Sequence, residues 1–459
     1  MKTKFLGLVV VLVLGTHLTA RAAGYVAHEW GTFTSVQGSD GQLIAWNPFT
    51  VAELPSFVHE RNVLFVTNGT NRVRVSSKLT PTRTWLQRME TPVIYFYADA
   101  PMRADVTVDF PDGEVTEWFP RVASFGPRGG VKRSFVRWAG VNITPASADA
   151  GRALPADKSG SHYYAARETD AALVTVEPPF PTGRPETDKF LFYRGVGNFK
   201  APLHARFDGD KLVLLNRGGD ELPHLFVLEV RGSVARTMTL PGLSGGGDVA
   251  VALPAGKGFR PLIEVRAEIS AAMEKVLAQS GLYPREAAAM VKTWADSWFS
   301  EPGMRVLYTL PRAWTDRVLP LKLDPAPREL VRVMVGRAEI FTPMVEHEVI
   351  RQFSAMPKPE QRTALVQRLN GMGLGRFAEA AVVKAESVQR ESGSTVTTPA
   401  VAGTTAAQLQ LVQCGSPIPP SVNATPGQPQ TTLLLTNNTS RLSLMNAGGS
   451  VSLSLSPSR

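Results

Sequence analysis

The chain has 459 residues, 43% of them hydrophobic and 19% charged, with a formal net charge of +9. That length suits two or three domains with sizeable cores, and the composition is that of a folded soluble protein. One cysteine, Cys414, excludes an intramolecular disulfide, so stability must come from packing.

The first 22 residues read as a secretory signal peptide. Lys2 and Lys4 precede the uncharged apolar run Phe5–Gly15, and Ala20 and Ala22 place small residues at −3 and −1 of a cleavage site. The run is shorter than the roughly 20 apolar residues that cross a bilayer. No cysteine follows it, so a lipid anchor there is not expected. Cleavage after Ala22 would remove Lys2, Lys4 and Arg21 and leave a secreted or periplasmic protein of about +6, three charges fewer. Export and the lack of a binding motif exclude nucleic acid as a partner.

Residues 23–265 carry strand language. Val63–Thr67, the turn Asn68-Gly69 and Val73–Val75 predict a hairpin. Pro92 opens the aromatic run Val93–Tyr97, and Asp105–Phe110 alternates before the turn Pro111-Asp112-Gly113. A similar phrase returns about 97 residues later, in Phe190–Tyr193, Leu203–Phe207 and Asp208-Gly209. The recurrence fits either two sandwich-like modules or repeated use of a common strand–turn–strand unit. Between Arg121 and Arg137, five cations lie among aromatic residues with no acid between them. Such a stretch suits an anionic glycan or phosphate, or simply a solvated strand pair.

Helical spacing begins near Arg266. Ile269, Ala272, Met273, Val276 and Leu277 form one stripe; Gly281 offers a left-handed cap; Ala287, Met290, Val291, Trp294 and Trp298 form a second stripe after Pro284. These predict a helical hairpin stopped by Pro302-Gly303. Short strands follow at Met304–Leu310 and Leu330–Val335, then helices to about Phe353, over Glu360–Leu369 and over Gly375–Gln389. Beyond Glu391, only Arg441 and Arg459 are charged in a Ser/Thr/Pro-rich tail. Its composition predicts disorder, although Thr432–Leu435 and Val451–Leu455 could act as strands given a partner. The expected fold class is α+β, an antiparallel β-rich, sandwich-like part followed by a helical part (266–391) and the tail (392–459).

The candidate site residues are His28, Glu29, Glu168 and Asp170. His28-Glu29 opens a polar–aromatic cluster, but Thr32 breaks the His-Glu-x-x-His zinc pattern. On a strand the two would face opposite sides, and His59 is a distant second ligand at best. Glu168 and Asp170 are two apart, so a strand would set both carboxylates on one face, suited to divided acid–base roles or to calcium. Asp40 beside Trp46 has the look of a sugar-binding loop or of an ordinary turn. Gly-x-Ser-x-Gly, Walker and dinucleotide patterns are missing. No cofactor is specified.

His28-Glu29-Trp30-Gly31-Thr32-Phe33-Thr34-Ser35-Val36 resembles a motif near the mature N-terminus of a family of secreted bacterial proteins without an assigned activity. Arg167–Asp170, Phe192–Gly195 and Leu310–Asp316 are similar to the same family, which would cover roughly residues 25–345. The resemblance implies bacterial export and carries over no catalytic residue. Two expectations follow. The first is a non-catalytic protein that binds a glycan, peptide or surface partner. The second is a secreted hydrolase of polysaccharide or peptide, metal-assisted in one form, in which the four candidates line a common pocket.

Overall fold

A computed structural model describes residues 24–391, apart from the internal stretches 49–53, 62, 69–70, 77–83, 129–130, 147–152 and 254–255. The expected signal peptide and tail lie outside the described residues. The first half holds β1 (Tyr25–Gln37), β2 (His59–Glu60), β3 (Val63–Asn68), β4 (Asn71–Ser76), β5 (Gln87–Met89), β6 (Val93–Ala98), β7 (Met102–Asp109), β8 (Gly113–Phe119), β9 (Ser124–Arg128), β10 (Val131–Thr144), β11 (Leu173–Val176), β12 (Glu186–Asp188) and β13 (Leu191–Gly197). Then come β14 (Leu203–Asp208), β15 (Lys211–Asn216), β16 (Leu225–Arg231), β17 (Val234–Leu240), β18 (Asp248–Ala252) and β19 (Arg260–Pro261). The remainder is α1 (Leu262–Gln279), α2 (Pro284–Phe299), β20 (Gly303–Thr309), α3 (Arg312–Val318), β21 (Leu321–Asp324), β22 (Glu329–Ile340), α4 (Pro343–Ala355), α5 (Arg362–Leu369) and α6 (Ala378–Glu391).

β1 organises the molecule. All thirteen of its residues are buried, because layers cover both faces of the strand. The central eleven-stranded sheet runs β19-β17-β16-β20-β22-β1-β5-β13-β8-β2, with β6 bridging β1 and β13. β1 pairs in parallel with β22, from Val26 opposite Glu329 to Gln37 opposite Ile340. Gly31 sits where a Cβ would come within 2.9 Å of the Pro92 backbone, so the close approach of that loop demands glycine.

Alternation sends Tyr25, Ala27 and Phe33 to one face and Trp30 to the other. On the first face, the six-stranded sheet around β10 and the three-stranded sheet β14-β15-β18 share one core with the central sheet, including Phe33, Val106, Trp138, Tyr193 and Leu214. On the second face, α1 and α2 pack Ile269, Met273, Leu277, Trp294 and Trp298 against Trp30, Phe226 and Leu228. Each such burial stabilises by about 1.5–3 kcal/mol. Farther along this face, Val36 and Trp46 meet Phe353, Leu369 and Phe377 of the last helices. The protein is thus α+β, a β-sandwich with a helical layer on one side. Among the described residues, no helix is long and apolar enough to cross a membrane.

The structure corrects two expectations of organisation. The chain does not divide at 265, because β20 and β22 enter the middle of the sheet, between β16 and β1. Nor do the two similar phrases build two sandwiches. Their aromatic strands, β6 and β13, pair with each other, while β7 and β14 leave for different sheets. Local pattern specifies a strand and not its partner, and here partners lie up to about 300 residues apart.

Candidate functional site

His28 and Glu29 lie on opposite faces of β1, each held by its own partners. On the helical face, His28 Nδ1 is 2.6 Å from Glu286 Oε2, and the His28 ring lies 4.5 Å from that of Tyr283. Glu286 occupies the third position of α2, where it also accepts the Tyr283 amide at 2.9 Å. His28 therefore pins the start of α2 to the sheet. Glu29 accepts the Tyr193 hydroxyl and Arg332 Nε, each at 2.5 Å, and Arg332 continues to Asp316 at 2.7 Å. Burial pulls the Arg332 guanidinium down, but Glu29 and Tyr193 outweigh it and hold its pKa above the usual value.

Glu168 and Asp170 are not on a strand. Residues His162–Arg167 coil into a 3-10 turn capped by Ser161 Oγ, and the two acids follow its end. Their partners come from α2. Lys292 Nζ donates to Glu168 at 2.6 and 2.8 Å, and Arg285 pairs with Asp170. Arg285 and Lys292 are two helical turns apart and so share a face. Both acids are exposed. Among the described residues, no hydrogen bond or ion pair joins His28 or Glu29 to Glu168 or Asp170, and no three His, Cys, Asp or Glu side chains gather as a metal site would require. His28 and Glu29 are buried within the sheet layer, whereas Glu168 and Asp170 are exposed at the surface of α2.

The other motifs read from the sequence also resolve into local pairs. Lys384 Nζ donates to Asp40 at 2.5 Å, and Trp46 is buried against Phe377, so the Trp46 ring offers no open face to a sugar. His59 sits 2.9 Å from Glu186. Within the basic stretch, Arg121 pairs with Glu186, Arg133 with Asp109 and Arg137 with Asp105.

The chemistry that sequence reasoning missed is a belt of buried charge across the helical face. Glu117 of β8, Arg194 of β13, Arg88 of β5, Thr34 of β1, Arg337 of β22 and Arg305 of β20 succeed one another over six strands. Arg194 meets Glu117 at 2.8 Å; Arg337 meets Glu339 at 2.9 Å and Glu301 at 2.7 Å; Arg305 meets Glu339 at 3.0 Å. Glu90 accepts Thr34 Oγ1 at 2.7 Å and Arg376 at 2.8 Å. Arg337 also donates to the carbonyl and hydroxyl of Ser297 at 2.8 and 2.6 Å, tying the end of α2 to the sheet. Burial raises the Glu90 carboxyl, but Arg376 and Arg88 prevail and hold it at about 2. His162, 4.9 Å from the Trp294 ring, is pushed down to about 4 by burial and stays neutral. A sequence signal existed in Arg88-Met89-Glu90 and Arg337-Ala338-Glu339. Charges two apart on an extended segment share one face.

At the end of the belt, a groove of about 440 Å³ opens between the strand ends and the last helices. Val230, Met304, Ile340 and Phe377 line it with Met344 and Met372, which are 62% and 43% exposed. Gly373, at φ +89° and with a Cβ position 3.1 Å from Pro302, permits the tight turn that presents Met372. The groove's acids are engaged, Glu339 by Arg305 and Arg337, Glu229 by Arg231 and Arg236.

No family model matches the chain, and no curated protein matches it. Among solved structures it is similar to the yeast delta-COP-I mu-homology domain, at 7% identity and a TM-score of 0.26, over 69% of this chain and 98% of that one. The same domain complexed with a Dsl1 WxWxV peptide matches at 7% identity and a TM-score of 0.24, over 69% and 96%. Scores at that level assign neither a fold family nor a function.

Proposed function

We propose that this chain is an exported, non-catalytic binding protein that takes an extended apolar peptide segment into the groove beside Met344 and Met372. The observation that carries the reading is the groove itself. It is a concave apolar surface with two exposed methionines, whose neighbouring charges are already satisfied. Methionine side chains are flexible and polarizable, which suits them to apolar partners of varied shape. A glycan would want exposed ring faces and open hydrogen-bonding groups there, so peptide is the better match. Export rests on the leader read from the sequence. The non-catalytic character is supported by His28, Glu29, Glu168 and Asp170, each of which is tied to a separate partner.

The test is fluorescence anisotropy of the full chain with a panel of labelled apolar decapeptides. Binding by the wild type, weakened at least about tenfold in Met344→Glu, is the expected result. Failure of every peptide to bind would overturn the reading.

A further inference from the structure

We infer that the groove's resident occupant is the chain's own C-terminal segment Val451–Leu455, an inference that rests on the peptide-binding reading above. Val451-Ser452-Leu453-Ser454-Leu455 alternates strictly, so in extended form its three branched aliphatic side chains lie on one edge and its serines on the other. That one-sided pattern fits a groove apolar on its inner wall and open to water outside. No charged residue lies between Arg441 and Arg459, so docking desolvates no charge. On the protein side, ion pairs within the fold already engage Glu339 and Glu229. Thr432–Leu435 fits less well, because three consecutive leucines would leave one pointing to water.

Connectivity permits the return. Phe377 lines the groove and immediately precedes α6, whose fourteen residues carry the chain about 21 Å away by Glu391. Residues 392–450, 59 in number, separate that point from the segment, and a flexible chain of that length would have an r.m.s. span of roughly 38–46 Å. The segment can therefore reach back to the groove, at an effective concentration on the order of millimolar. At that concentration even a weak intramolecular contact competes with an external peptide, so the tail acts as a built-in competitor.

The experiment uses the full chain with ¹³C-methyl-labelled methionine, following Met304, Met344 and Met372. In the L453D/L455D variant, these groove signals should move, and a synthetic peptide of residues 449–457 should return them. The same variant should bind an external apolar peptide about tenfold more tightly than the wild type does, because the competitor is gone. Unmoved signals in L453D/L455D would overturn the inference. If the wild type still binds the apolar panel in that case, the groove reading survives alone; if it binds none, both fall. Movement in L434D instead assigns the groove to Thr432–Leu435 and overturns the choice of segment. Wild-type signals that change with protein concentration would assign it to a second copy, and likewise overturn the intramolecular form.

Discussion

The charge belt and the groove meet at Glu339 and Phe377, yet they are built on opposite principles. In the belt, five guanidinium groups (Arg88, Arg194, Arg305, Arg337, Arg376) face three buried carboxylates (Glu90, Glu117, Glu339) and the half-buried Glu301. Desolvating such groups is expensive, and only complete pairing offsets the cost. In the groove, an apolar wall remains open to water, and exposed methionines carry no such constraint. The contrast separates what holds this protein together from what it can offer a partner. A change in the belt should act on stability, and a change in the groove on binding.

The largest expected effect tests the belt. Arg337→Met leaves Glu301 and Glu339 without a shared cation and should destabilise the fold by about 3–5 kcal/mol, read as a lower urea midpoint. A loss below about 1 kcal/mol would show the belt to be incidental.

Acid should weaken the same region next. Glu90 has its folded pKa depressed to about 2, so its contribution is full above its ordinary value of 4.5 and fades as pH falls toward 2. His162 is also depressed, from 6.5 to about 4, and as a base it must take up a proton at a half-buried, poorly solvated site. Its neutral form is therefore favoured above pH 6.5, and stability drops as pH falls from 6.5 to 4. Thermal unfolding of His162→Gln should lack the upper limb of that decline, and Glu90→Gln the lower one. Unchanged pH profiles would remove both residues from the account.

The smallest effect concerns the exposed acids. Glu168→Ala breaks a solvated pair with Lys292 and should change stability by less than about 1 kcal/mol. Loss of ligand binding or of a catalysed reaction in that variant would restore Glu168 as a site residue and break the division between belt and groove.

Much of this architecture was legible in the sequence. The α1–α2 hairpin, its buried stripes and the cap at Gly281 follow from helical spacing and glycine chemistry, which are local properties. The hairpin of β3 and β4 was likewise signalled by alternation around a turn. The Glu168/Asp170 pairing failed because Ser161 and the residues after it coil where a strand was expected. The belt went unread because the two Arg-x-Glu phrases signal only a shared face, while the row itself forms when strands far apart in sequence align.

Composition and periodicity thus determined the strand-rich first part, the helices after it, the charge-poor tail and the leader-like start, since each depends on residues near in sequence. Tertiary structure alone decided that β22 lies beside β1, that His28 serves the start of a helix at Glu286, 258 residues away, and that charges from five strands fall into one row. The reason is physical. Which face a side chain takes is set by the period of its own strand, whereas its partner is set by which strands can close a common core.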